Sequence, residues 1–274
     1  MNYCYHIPQD NYSAVKRIIV IGDIHGDIKA LLHSLQLANV INQSHQWIGG
    51  DTHVVQVGDL LDRGGRGINI SDEKSERKIL KLLFKLQKQA RKTGGAVHLL
   101  LGNHELMNVM GDFRYVTPLG LTDFDGDRKN VFRPGGKFAK KMACNMNSVL
   151  RIGGWIFSHA GILPQHTKYN FTEINRKVRE FLLGNSEEPE STLMSLFWHR
   201  DYSTYSDCNS LNLALNNLDA QHMVVGHSVQ NKINGQCNGK LWKVDVGMSS
   251  AFGTARPVQI LEILNDGAQV NFLP

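Results

Sequence analysis

Five times along this chain a short apolar run stops at a small residue and is followed at once by polar side chains able to bind a metal. The blocks are Gly22-Asp23-Ile24-His25-Gly26, Gly58-Asp59-Leu60-Leu61-Asp62-Arg63-Gly64, Gly102-Asn103-His104-Glu105, Ser158-His159-Ala160-Gly161 and Gly226-His227-Ser228. The first three runs are Arg17-Ile18-Ile19-Val20-Ile21, His53-Val54-Val55-Gln56-Val57 and Ala96-Val97-His98-Leu99-Leu100-Leu101. Runs this short and rich in branched residues read as buried strands. After the first, Asp27 is placed to cap a helix with Ile28, Leu31, Leu32, Leu35 and Val40 on its apolar face. After the second, Asp72 is placed to cap one through Ile79, Leu82, Leu83, Leu86 and Ala90. Strand, polar loop and helix in repetition demand an α/β fold whose reactive residues gather at one rim of the sheet.

The remaining chain fits that frame. Between residues 110 and 143, Gly111, Pro118, Gly120, Gly126, Pro134, Gly135 and Gly136 break the periodicity, so an inserted active-site loop region with short helices is expected. Residues 149–151 and Trp155–Ser158 read as strands joined at Gly153-Gly154. Helices are expected at Phe171–Leu183 and 211–218, strands at 223–225, 240–244 and 258–264, and a turn at Asp266-Gly267. With 274 residues, 42% of them hydrophobic, the chain can bury a substantial core, and one domain over 1–274 is expected.

Several function classes fall away. No basic start with a long apolar run opens the chain, and no stretch approaches about 18 uninterrupted apolar residues, so neither a secretory signal nor a membrane partner is expected. Cys4, Cys144, Cys208 and Cys237 are widely spaced; the expectation is four reduced thiols in a cytoplasmic protein, with two disulfides as the alternative. The net charge of +5 suits an anionic substrate. Its lysines and arginines are dispersed and no RNA-binding fingerprint accompanies them, so no stable nucleic-acid partner is expected. No heptad seam compels association, which makes a monomer the simplest state.

The polar blocks carry the chemistry. Aspartates, a carboxamide oxygen and several imidazoles suit Mn, Fe or Zn better than a thiolate-selected metal. Asp59, central in the ordered set, is the best candidate for a carboxylate shared by two cations. Two ions roughly 3.5–4 Å apart can activate a water and clamp phosphate oxygens.

In these blocks the chain resembles the phosphoprotein phosphatase family of the calcineurin-like metallophosphoesterases. The resemblance implies a central β-sandwich of mixed sheets flanked by helices. It implies one ion on Asp23, His25 and Asp59 and another on Asp59, Asn103, His159 and His227. These are two divalent or mixed-valence ions, Mn first and Fe or Zn next. His104 would protonate the leaving oxygen, oriented by Asp62, because an imidazole free of metal can give up a proton. Arg63 would clamp the phosphate through a two-pronged guanidinium, with Arg200 of Trp198-His199-Arg200-Asp201 as a second clamp. Glu105 is expected to support its loop.

Within the family, Glu105 resembles the protein phosphatases, and Gly64-Gly65-Arg66-Gly67 lacks both the proline form of diadenosine-polyphosphate hydrolases and the aromatic form of eukaryotic Ser/Thr phosphatases. The block Asp245-Val246-Gly247-Met248-Ser249 and the long insert resemble the Shewanella-like branch and its tyrosine-active relatives. That implies a phosphoprotein or phosphopeptide substrate, with phosphotyrosine or a small aryl phosphate ahead of phosphoserine and phosphothreonine. Phe113, Tyr115, Phe124, Phe132 and Phe138 are candidates for an aromatic lining, the alternative being that they only stabilise the inserted loop. The alternatives are a diadenosine-polyphosphate, nucleotide or RNA-end phosphohydrolase using the same centre, and a catalytically weak phosphoprotein-binding protein.

Overall fold

The computed structural model describes residues 3–4, 6–66, 73–203, 205–253 and 256–274. A two-residue β1 (Asn11–Tyr12) precedes β2 (Arg17–Ile21), whose last four residues are buried. In α1 (Ile28–Leu37) the Asp27 carboxylate accepts the N–H groups of Lys29 and Ala30 at 3.1 and 3.0 Å, the expected cap. The helix stops before Val40, because Asn39 turns left-handed at φ 53°, and Val40 enters the core from beyond it. Next come β3 (His53–Gln56), α2 (Glu76–Ala90), β4 (Ala96–Leu100) and α3 (Asn103–Val109). Asp72 lies outside the described residues; α2 itself starts after Ser75.

The chain continues through α4 (Arg128–Phe132), α5 (Lys137–Asn145), β5 (Met146–Asn147) and the hairpin of β6 (Val149–Ile152) and β7 (Trp155–Ser158). Then follow α6 (Phe171–Leu183), α7 (Ser191–Met194) and α8 (Cys208–Asn217). The last of these starts three residues before the expected 211, because Asp207 caps it through the N–H groups of Asn209 and Ser210. The strands β8 (His222–Val225), β9 (Asn234–Gln236), β10 (Leu241–Lys243), β11 (Ile260–Leu264) and β12 (Gln269–Leu273) complete it.

Two mixed sheets result, ordered β12-β11-β2-β3-β4-β5 and β1-β6-β7-β8-β10-β9. In the first, β2, β3 and β4 run parallel, and in the second β7, β8 and β10 do. Their apolar residues, Val20, Val55 and Leu99 from one and Phe157, Val224 and Leu241 from the other, belong to one buried cluster. The sheets meet where β2 and β10 end: a side chain at Gly22 would overlap the Val244 carbonyl oxygen, so only glycine allows the approach.

In residues 110–143 the aromatics divide between the two expected roles. Phe124, Phe132 and Phe138 do not line a mouth; they are buried against one another, with ring centroids 4.5–5.8 Å apart. The Arg128 guanidinium stands 5.2 Å from Phe124 and 5.1 Å from Phe132. They brace the region as part of that same buried cluster, and of the five candidates Tyr115 lines the cavity at the strand ends.

The expectation of four reduced thiols is overturned. Cys4 is bonded to Cys144 and Cys208 to Cys237, with Cα atoms 5.2 and 5.4 Å apart. Spacing in sequence concealed both, since the fold lays the N-terminal arm on the end of α5 and the β9–β10 turn beside the start of α8. Among the described residues, no helix is long and apolar enough to cross a membrane.

Candidate metal centre

Six strands, three from each sheet, end at one place. Asp23 and His25 follow β2, Asp59 and Asp62 follow β3, and Asn103 and His104 follow β4. From the other sheet His159 follows β7, His227 follows β8 and Asp245 lies just beyond β10. All nine side chains are buried.

Such convergence needs sharply turned loops. His25, Asp59, Asp62 and His227 adopt left-handed φ values of 44°, 53°, 67° and 66°. Each costs about 1–3 kcal/mol in a residue with a side chain and persists only where neighbours enforce it. At Asp59 the enforcer is Glu105, whose carboxylate accepts the N–H groups of Asp59, Leu60, Leu61 and Gly102 at 2.9, 2.9, 3.1 and 2.8 Å. Glu105 therefore supports the loop, as expected. Gly102 is required beside it, because a side chain there would overlap Asp59.

Two imidazoles are held in ways that fix which nitrogen is left over. His159 Nδ1 donates to Val57 O at 2.9 Å and His227 Nε2 to Trp198 O at 3.3 Å, while His25 Nδ1 lies between Leu61 O at 3.2 Å and Arg66 Nη2 at 2.8 Å. A backbone carbonyl on one nitrogen presents the other, unprotonated, to a metal. His159 Nε2 lies 3.3 Å from Asp59 Oδ2 and 3.0 Å from Asn103 Oδ1. His25 Nε2 lies 3.7 Å from Asp59 Oδ2 and 4.0 Å from Asp23 Oδ2. Two groups of ligand atoms therefore close around Asp59, His25-Asp59-His104 and Asp59-His159-His227, each within 4.8 Å. The first contains His104 where Asp23 was expected; the Asp23 carboxylate instead accepts the His227 N–H, at 3.1 and 3.3 Å.

The electrostatics also fit cations. Burial, then Asp245 and Asp59, push the Asp23 carboxyl well above its ordinary range. Burial alone would raise Asp59 too, but His159, His104 and His25 around it pull it well below. Burial and His159 hold His227 down at about 3, and burial and Arg66 hold His25 well below the usual imidazole range, so both stay neutral. Asp245, pushed up to about 6 by burial, keeps Oδ2 buried without a hydrogen-bond partner. A crowded set of carboxylates, neutral imidazoles and an unsatisfied oxygen is what divalent ions relieve. These residues make a dinuclear metal site.

His104 is held differently. Its Nδ1 donates to Asp62 Oδ2 at 2.9 Å, and its Nε2 stands 3.9 Å from Asp59 Oδ2. Burial would lower its pKa, but Asp59 and Asp62 raise it above the usual value. Above these residues opens a cavity of about 420 Å³ rimmed by Arg66, Tyr115, Arg200, Val229 and Phe252. Arg200 is thus at the mouth, donating to Ser228 Oγ at 3.3 Å.

Arg63 is not at the mouth. Its side chain is 3% exposed, ion-paired to Asp27 at 3.0 Å and Glu73 at 3.5 Å and bonded to Ser250. The guanidinium that does reach the cavity from this loop is Arg66, packed 4.7 Å from the Phe252 ring and 5.6 Å from Tyr115. Sequence reasoning gave Arg66, Phe252 and Asp245 no role in the site, although Arg66 and Asp245 stand in blocks that carry the resemblance. Only Asp245 carried a usable signal, since it follows a β-like run as the other ligands do.

Comparison with known proteins agrees with this geometry. The pattern of the calcineurin-like phosphoesterases matches residues 16–231. Shewanella-like protein phosphatase 2 of Arabidopsis thaliana is 32% identical over 95% of this chain and 78% of its own length. Shewanella-like protein phosphatase 1 of Plasmodium berghei is also 32% identical, over 89% of this chain and 70% of its own. The crystal structure of a cold-active protein-tyrosine phosphatase from a psychrophilic Shewanella superposes with a TM-score of 0.78 at 26% identity, covering 98% of this chain and 83% of that one. The chain belongs to the calcineurin-like phosphoesterase family, with Shewanella-like and cold-active tyrosine phosphatases among its relatives.

Proposed function

We propose that this enzyme is a phosphomonoesterase of phosphoproteins or phosphopeptides, phosphotyrosine first, with Asp23, His25 and Asp59 holding one ion and Asp59, Asn103, His159 and His227 the other. Manganese is the first expectation for both positions, with iron or zinc next. When bound, the ions supply an activated water and positive charge for the phosphate oxygens. His104 gives its proton to the leaving oxygen and Asp62 holds its Nδ1.

One contrast carries this assignment. His159 and His227 rest their second nitrogen on a backbone carbonyl and suit ligation, whereas His104 rests its Nδ1 on the Asp62 carboxylate, which orients its Nε2 and steadies a proton-bearing ring. The kinship with protein and protein-tyrosine phosphatases and the aromatic rim of Tyr115 and Phe252 support an aryl phosphate ester.

Arg66 and Arg200 receive the phosphate in this reading, while Arg63 braces Asp27. Arg66 Nη2 stands 2.8 Å from His25 Nδ1, the atom that also serves Leu61 O. With His25 ligating through Nε2, its Nδ1 carries the proton and goes to Leu61, which turns the Arg66 N–H toward the cavity. In this reading the chain acts as one domain over 1–274 and as a monomer. Its two disulfides fit an oxidising compartment better than the cytoplasm first expected.

The test is metal-reconstituted His104→Asn assayed on two aryl phosphates. Expected is a loss of about 10²–10⁴-fold in kcat with a poor leaving group, shrinking with an acidic phenol, and no loss of metal. Loss of metal in step with activity would make His104 a ligand. A far higher kcat/KM on a nucleoside polyphosphate than on phosphopeptides would replace the substrate class. No turnover of any ester after reconstitution would leave a binding protein.

A further inference from the structure

Arg128 is 1% exposed and spends all three guanidinium nitrogens inside the protein. Nη2 donates to Asp62 Oδ1 at 3.2 Å, Nη1 to Glu76 Oε2 at 2.6 Å and Gly120 O at 2.8 Å, and Nε to Asn108 Oδ1 at 2.7 Å. Asn108 closes a triangle, its Nδ2 donating to the same Asp62 oxygen at 2.9 Å. The other Asp62 oxygen takes His104 Nδ1. Glu76, bound by Arg128, accepts the Asp62 N–H at 2.7 Å and so steadies its left-handed backbone. Arg128 itself does not line the cavity.

The geometry points to Arg128 as a positioning residue for proton donation: it fixes the plane of the Asp62 carboxylate and, through it, the direction in which His104 faces the leaving oxygen. The region 110–143 thereby does more than shape the mouth; it delivers the cation that aims the acid. A guanidinium suits this because its planar fork sets orientation as well as charge. Phe124 and Phe132 pack against one side of it, and Gly120 O accepts from Nη1 beside the nitrogen that serves Asp62. The inference rests on His104 being the acid, so its test runs beside the one for that reading.

Arg128→Lys keeps the charge and loses the fork. In the metal-reconstituted enzyme it should lower kcat on phenyl phosphate at least about tenfold, the scale for groups that orient a reacting residue, and on 2,4-dinitrophenyl phosphate by less than about threefold. Metal content should not change. In an Asp62→Asn background the same substitution should no longer discriminate between the esters, because its route is gone. Equal losses on both esters, or undiminished discrimination in the Asp62→Asn background, would reduce Arg128 to a packing role. Should Arg128→Lys fail to fold, Asn108→Ala removes the bridging amide and must show the same ester discrimination, and its absence overturns the inference. If His104→Asn itself fails to discriminate, the acid assignment falls and takes this inference with it; if only His104→Asn discriminates, the inference alone falls.

Discussion

Asp59 Oδ2 lies 3.3 Å from His159 Nε2, 3.7 Å from His25 Nε2 and 3.9 Å from His104 Nε2, so one oxygen organises the imidazoles of both ligand groups. Asp59→Ala should lose most bound metal and at least about 100-fold in activity, checked by metal analysis after gel filtration beside initial rates. Two ions retained with native turnover would remove Asp59 from the centre. Arg63 and Arg66, three residues apart, should separate cleanly. Arg66→Ala is expected to raise the Ki for inorganic phosphate about tenfold with little change in Tm, since it removes a charge-assisted contact at the rim. Arg63→Ala should instead destabilise the fold by about 1–3 kcal/mol, because the buried Asp27 carboxylate keeps its hydrogen bonds but loses its counter-charge. A folded Arg63→Ala that alone raises Ki would return the clamp to Arg63. The ligands were legible in sequence because each stands just past a strand and a small residue. Which arginine faces the cavity was not, because Asp27 had already been assigned as a helix cap and its second role, holding Arg63, depends on tertiary contact.

At the level of elements, the parallel pair β3 and β4 carries a pH liability in its core. His98 Nε2 and His53 Nδ1 are 3.1 Å apart, with the Tyr12 ring centroid 4.7 Å from His98. Burial, then His53, depresses His98 from 6.5 to about 3. Below pH 6.5 the unfolded chain takes up a proton on this residue that the folded chain refuses, so stability falls as pH drops from 6.5 and levels off near 3. The slope is at most about 1.4 kcal/mol per pH unit for one such group. His98→Gln should flatten the fall in denaturant midpoint between pH 6.5 and 4 at matched metal loading; an unaltered slope would place the liability elsewhere. The long strands and amphipathic helices were legible from periodicity, and Phe171–Leu183 matches its expected limits. β1 and β5, two residues each, and three-residue β9 are too short to show a period, and β12 has no buried face to betray it. The aromatics of residues 110–143 left two roles open because composition does not distinguish a lining from core packing.

On the scale of the whole molecule, the disulfides span 140 and 29 residues of chain. By loop closure alone they stabilise the fold by about 5 and about 4 kcal/mol, upper figures of the chain-entropy account. Reduction should therefore lower Tm by several degrees and expose four thiols to alkylation where none reacts before; four reactive thiols in the untreated protein would disprove the cross-links. The fold class was legible because five apolar runs, each ending in a polar block, leave few architectures, whereas the pairing of cysteines was not, since distance along a chain does not measure distance across it. The Cys4–Cys144 bond turns residues 4–144 into a covalent ring and leaves 145–274 as its tail. Asp23, Asp59 and Asn103 sit on the ring and His159 and His227 on the tail, so a single protease cut anywhere between 4 and 144 opens the ring without parting the two halves of the centre. Such a nicked enzyme migrates as one species until reductant is added, and only then releases two fragments.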